Sequence, residues 1–142
     1  MNALEIPLVQ ASFARLLPLA DRAVPRFYAN LLAIDPALRV SVPRDLRLSG
    51  PALMLRLGQM INCLDRPHVS MPLLRALLHS DLRQPRSTAH LAKVARAAMM
   101  TLQQLLGPEL DGPCRAAWGP LYFLALGVIA EDALWSEQLL AA

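Results

Sequence analysis

Apolar residues recur at helical spacing along almost the whole chain, and this periodicity restricts the fold more than any other feature. The first stripe places Ile6, Val9, Phe13 and Leu16 on one face of a helix. Stripes of the same period follow through the rest of the sequence, and no segment alternates apolar and polar residues as a half-buried strand would. The sequence therefore predicts an all-α protein.

The composition is that of a folded domain. The chain has 142 residues, of which 55% are hydrophobic and 18% are charged, and this balance excludes a disordered chain. The length suffices for one hydrophobic core, so we predict a single domain over residues 1–142. Long helices towards the C-terminus, with shorter helices around them, favour seven to eight helices in a helical sandwich over a four-helix bundle.

Capping and breaking residues predict where several helices begin and end. Asp21 is a plausible N-cap, and Ser49 is expected either to cap the next long helix or to be its first inward residue. Pro72 is expected to open a further short helix, because proline is favoured at the first helical position. A long helix over residues 87–106 should end at Gly107.

Several classes of protein are disfavoured. The longest run without a charge, residues 116–130, is fifteen residues long, which predicts a buried or partner-packed helix and no membrane span. The first ten residues show no signal-peptide pattern, and Cys63 and Cys114 lack metal-binding spacing, so we expect a cytoplasmic protein with free, buried thiols.

Neither the charge distribution nor any sequence motif indicates nucleic-acid binding, catalysis or metal binding. The net charge is +3 and the arginines are scattered, so nucleic-acid binding is not expected. The sequence contains no nucleophile motif, phosphate loop or carboxylate pair, and we therefore expect a protein that is not an enzyme and has no metal site of its own.

Three stretches carry a resemblance to a known family. "SFARLLPLADRAVPRFYANLLAIDPALR", "AHLAKVARAAMMTLQQLLG" and "RAAWGPLY" resemble the first helices, the G helix and the start of the H helix of bacterial single-domain globins, the flavohaemoglobin-like haemoglobins. The resemblance covers roughly residues 8–132 without an evident gap. It implies a globin fold.

The resemblance fails where such a globin holds its haem. The family places its proximal histidine nine residues before the histidine that opens the G helix, and counting back from His90 reaches Asp81. Helical geometry supports this register independently, because Leu74, Leu77, Leu78 and Asp81 share one face. His79 lies about 200° round the helix from Leu77 and is expected to face solvent.

The other positions of the implied haem pocket include both matches to the family and departures from it. Val42 stands where the family has a phenylalanine against the haem, and Ser49 stands at the distal Gln or His position. Tyr28 matches the family's distal tyrosine. The implied pocket is completed by three leucines: Leu53, Leu77 and Leu91.

These substitutions leave three hypotheses open. The first is a globin-fold sensory or regulatory module without a cofactor, which acts through a protein partner or as a homodimer through the G and H helices. The second is a haemoglobin that binds haem b through His79, with Tyr28 facing bound oxygen or nitric oxide. The third is a carrier of an apolar small molecule such as a fatty acid.

Overall fold

Helices joined by short turns form the part of the chain that the structure describes. This computed structural model describes the backbone of residues 2–81 and 88–141, and their side chains except at residues 41, 80, 81 and 132–141. No strand occurs within those limits, and the all-α prediction is confirmed. The predicted helix count and globin arrangement stay predictions, since residues 82–87 lie outside the described part.

The helices are labelled in chain order. Their bounds are α1 Glu5–Leu16, α2 Ala20–Ile34, α3 Leu46–Asn62, α4 Pro67–Ala76, α5 Thr88–Leu106, α6 Gly112–Ala117 and α7 Gly119–Ala141. Short 3₁₀ turns occupy Leu17–Leu19, Pro36–Ser41 and Gly107–Glu109, and a π-helical turn, Leu77–Asp81, extends α4.

Aspartates cap the starts of three helical segments. The side chain of Asp35 accepts a hydrogen bond from the Ala37 amide, and Asp45 accepts one from the Arg47 amide at the start of α3. Asp111 does the same for Cys114 in α6. Each carboxylate satisfies a backbone N–H that the first helical turn leaves without a partner and also stabilises the positive end of the helix dipole.

The predicted helix starts at Pro72 and Asp21 are wrong, and Ser49 is not a helix cap. Pro72 does not open a helix, because α4 begins five residues earlier at Pro67, and α3 likewise begins at Leu46, five residues before Pro51. Each proline is tolerated as the sixth helical residue, where it removes one early backbone hydrogen bond. Asp21 is not a cap, since α2 already begins at Ala20.

One continuous core connects the helices. α2 packs along α5, α3 packs against α2 and α4, and α1 packs against α6. A glycine permits the close approach of α1 and α3, because a Cβ at Gly58 would lie 3.2 Å from the Phe13 ring. The side chains most completely excluded from solvent are Met60, Ile61, Val9, Val128 and Ser12.

Polar contacts join α2 and α5 at two places along the helix pair. Asn30 is buried, and its Nδ2 donates hydrogen bonds to Thr101 Oγ1 at 3.0 Å and to Gln104 Oε1 at 2.9 Å. Nearer the start of α5, Lys93 Nζ contacts Asp35 Oδ2 at 2.7 Å. The buried amide of Asn30 is therefore satisfied within the α2–α5 contact, as buried polar groups generally are.

The C-terminal helices α6 and α7 carry many apolar residues that are not buried in the single chain. Residues Gly112–Glu131 are long and apolar enough to cross a membrane by length and composition, with a mean hydropathy of 1.2, and 28% of this stretch is buried. A mostly buried core helix of a soluble protein passes the same test, whereas most of this stretch is not buried in the single chain, and helical structure is interrupted at Trp118 between α6 and α7. Phe123 is nevertheless 69% exposed, so part of this apolar surface is uncovered in the single chain.

The end of α5 provides a test of local backbone strain. Gly107 follows α5 with φ of +54°, as the sequence predicted for the end of this helix. Replacement by alanine should lower the free energy of unfolding by about 1–2 kcal/mol, because an L-residue is strained at positive φ. Chemical denaturation measures the change.

Gly112→Ala is the matched control. A Cβ at either glycine meets no atom within 4 Å, so the two variants differ in backbone conformation and not in available space. Gly112→Ala should change stability by no more than about 0.5 kcal/mol. Equal losses in the two variants would contradict this explanation.

Candidate functional site

A cavity of about 500 Å³ lies between the helices. Every α-helix or its adjoining turn contributes to the wall, including Phe13 of α1, Val24 of α2, Leu53 of α3 and Leu74 of α4. The wall is almost entirely apolar, and the cavity is partly open to solvent. Its size lies within the range of small-molecule binding pockets, about 300–1,000 Å³.

α5 presents small side chains to the cavity beside larger ones. Ala92, Ala95 and Ala98 line the wall at intervals of three residues, so they follow one another along one side of the helix. Leucines at these positions would occupy much of the space. An apolar void also costs free energy, because its walls lose contacts that a filled core would have. An apolar occupant would restore those contacts.

Three residues predicted for the pocket meet at this cavity. Leu53, Leu77 and Leu91 are buried and line it from α3, the π-helical turn and α5 respectively. Leu74 and Leu78 line it beside Leu77, so the apolar stripe of that segment does face the interior.

The other predicted pocket residues lie elsewhere. Tyr28 is buried with its ring edge-on to Phe27 at a centroid distance of 5.1 Å, and Phe27 lines the cavity whereas Tyr28 does not. Val42 is half-buried against the core outside the cavity wall. Ser49 lies inside α3, neither as its cap nor on the cavity wall, and its hydroxyl donates to the Asp45 carbonyl at 3.0 Å.

His79 and Asp81 are the two residues that bear on the proximal iron-ligand position, and the structure describes them to different extents. His79 has an exposed side chain and does not line the cavity. The backbone of Asp81 ends the π-helical turn, and its side chain lies outside the described residues. A π-helical turn changes the register of the residues that follow it, and such turns are frequent at functional sites.

The donor set of the cavity wall does not fit a histidine-bound haem. Its described residues include no histidine, cysteine or carboxylate, and the methionine sulfurs and the phenol of Tyr122 are the groups nearest to metal ligands in kind. Elsewhere in the described structure, no group of three or more His, Cys, Asp and Glu residues is placed to hold a metal ion. Both cysteines are free thiols; Cys114 is buried and Cys63 is partly buried.

Sequence reasoning missed the polar groups at the cavity. Arg96 of α5 and Arg115 of α6 line it, and both are exposed residues. Trp118 also lines it, and its indole Nε1 is buried with no hydrogen-bond partner among the described residues. The spacing of Ala92, Ala95 and Ala98 was the available signal for a cavity, but nothing in the sequence showed which arginines would border it.

No protein-family model matches the chain, and no curated protein matches its sequence. The resemblance to bacterial globins therefore stays a prediction from the quoted stretches, and functional inference depends on the geometry of the cavity.

His90 near the start of α5 makes stability depend on pH. Burial lowers its pKa below the ordinary value, and the neighbouring Lys93 charge lowers it further, while Asp35 acts weakly in the opposite direction. The folded protein thus binds fewer protons than the unfolded chain as pH falls through about 6.5. Stability associated with neutral His90 should be lost below that pH.

Thermal unfolding at about pH 7.5 and pH 5.5 tests this effect. We expect a lower midpoint at the acidic pH, and a smaller difference between the two pH values in His90→Gln than in the unmodified protein. Asp35 stays ionised over this range, because its hydrogen bond from Lys93 lowers its pKa below the usual range. An unchanged difference in His90→Gln would exclude His90 as the source.

Proposed function

We propose that this chain is a globin-like module that binds an apolar small molecule in place of haem and serves a sensory or regulatory role without catalysis. The observation that carries the proposal is the apolar cavity of about 500 Å³ between the helices, whose wall includes three alanines of α5. Its wall suits a hydrocarbon chain, because burial of each methylene contributes about 0.8 kcal/mol.

The haem-binding alternative has less support. It requires His79 as proximal ligand and Tyr28 at bound oxygen or nitric oxide, yet neither side chain lines the cavity. Titration with haem tests it directly. A sharp Soret band at one haem per chain that disappears in His79→Ala would favour that alternative over an apolar ligand.

Straight-chain alcohols of increasing length are simple probes of the cavity. Their affinity, measured by calorimetry, should rise about fourfold per methylene until the cavity is filled. Ala98→Phe places a ring in the cavity wall and should weaken binding at least about tenfold.

Ala52→Phe is the matched control. Ala52 is exposed on α3 and does not line the cavity, so the same substitution there should leave binding unchanged. Circular dichroism confirms that both variants fold. Affinity that does not depend on chain length, or that survives Ala98→Phe, would contradict the proposal.

We also propose that a second copy of the chain packs on α7. Phe123, Gly127 and Ala130 are exposed at spacings of four and three residues, so they form one apolar strip of this helix, with the exposed Glu131 at its edge. A helix that is apolar all round is normally buried, and a dimer would bury this face. The predicted role of the G and H helices in dimerisation is consistent with this location.

Phe123→Asp should convert the dimer to a monomer in light scattering, because the interface would then bury an unpaired charge. Leu55→Asp is the matched control, since Leu55 of α3 is 65% exposed and lies away from α7. If the protein is a monomer and floats with lipid vesicles, a membrane and not a second copy would cover the exposed apolar residues of α7. Co-purification of another protein with a monomeric chain would likewise exclude the homodimer.

A further inference from the structure

The side of α3 that faces away from the core carries an apolar strip that is exposed to solvent. Leu48, Pro51, Ala52 and Leu55 are all exposed, with 77% of Leu48 and 65% of Leu55 accessible. At about 100° per residue, these four side chains fall within an arc of about 100°, and we call them the outer strip. The buried residues of α3 lie on the opposite side of the helix. Apolar side chains that are exposed together mark an interaction surface more often than single ones do.

Arginines border the outer strip. Arg47 and Arg56 are exposed, and helical geometry places each of them about 40° beyond one edge of the strip. Arg44 is exposed in the segment that leads into α3. The sequence from residue 36 to residue 64 contains a single acidic residue, Asp45, and one oxygen of its carboxylate accepts the hydrogen bond that caps α3. The surface is therefore apolar along its centre and formally positive at its edges.

This charge pattern favours an anionic surface over a second copy of the chain as the partner. In a two-fold dimer the same surface packs on itself, so the arginines of the two copies would approach one another and repel. An anionic surface places opposite charge against them. Apolar side chains flanked by cations are typical of helices that lie in the membrane interface, where the apolar residues reach the acyl chains and the cations meet anionic headgroups.

We propose that α3 docks the protein on an anionic lipid surface, with Leu48 and Leu55 inserted at the acyl boundary and with Arg44 and Arg47 against the headgroups. In this arrangement α3 lies along the membrane surface and does not cross it. The docking surface is separate from the proposed ligand site, because α3 contributes to the cavity wall from its opposite side. The inference therefore goes beyond the proposed function and does not depend on it.

Sedimentation of the full chain with lipid vesicles tests this proposal. One set of vesicles contains phosphatidylcholine alone, and the other contains equal parts of phosphatidylcholine and phosphatidylglycerol. We expect at least about tenfold tighter binding to the anionic vesicles, since each arginine near such a surface contributes about fivefold. Raising the salt concentration should weaken that binding. This comparison needs no variant and so does not depend on whether a variant folds.

Variants assign the binding to the outer strip and its arginines. Leu48→Asp should weaken binding at least about tenfold, because a charge would have to enter the apolar boundary. Arg44→Gln and Arg47→Gln should each weaken binding to the anionic vesicles about fivefold. Ala52→Leu adds apolar area to the strip and should strengthen binding at least about threefold, a gain that unfolding would not produce. Phe123→Asp, an equivalent change at an exposed residue of α7, is the matched control and should keep the preference for anionic vesicles.

The paired aspartate variants are needed because flotation alone does not distinguish α3 from α7. Loss of vesicle binding in Phe123→Asp but not in Leu48→Asp would place the membrane on α7 and overturn the proposal. Equal binding to the two kinds of vesicle would overturn the role of the arginines and with it the proposal. Binding to neither kind of vesicle would overturn it outright.

Discussion

The packing of α2 along α5 is the contact on which the rest of the structure depends. The buried Asn30 amide donates hydrogen bonds to Thr101 and Gln104 of α5, and Lys93 forms an ion pair with Asp35 near the start of α5. These polar contacts contribute to the position and the rotation of α5 against α2. Because the helix is held against α2, Ala92, Ala95 and Ala98 stay on the cavity wall together with larger side chains of α5 such as Leu91 and Leu102.

Many of the side chains that line the cavity are themselves buried. The side chains of Met60, Ile61 and Val128 are almost completely excluded from solvent, and Met60 also lines the cavity. A well-packed surround keeps the walls apart, and an apolar occupant then gains dispersion and hydrophobic contacts without requiring the protein to move.

Much of the helical layout could be predicted from residue spacing, because each stripe reports which face of its own helix is buried. The stripe of Leu74, Leu77 and Leu78 correctly indicated an inward face, and Gly107 correctly marked the end of α5. Helix starts were harder to predict. A proline suits a first position but is also tolerated at the sixth, and the sequence alone does not distinguish Pro67 from Pro72 as the opening residue.

The candidate site was only partly predictable for a different reason. Leu53, Leu77 and Leu91 line one cavity, but whether Tyr28 or its neighbour Phe27 reaches that cavity depends on the rotation of α2 against α5. Long-range packing sets that rotation, and local periodicity does not encode it to within one residue. The same applies to Arg96 and Arg115, which border the cavity only because α6 approaches α5.

A crystal structure determined under xenon pressure tests the central claim most directly, because xenon enters apolar cavities that already exist. The account predicts xenon among Phe13, Leu53, Leu77 and the alanines of α5, with the helices unmoved. An interior without xenon, in which side chains from α3 and α5 fill the space, would contradict the account.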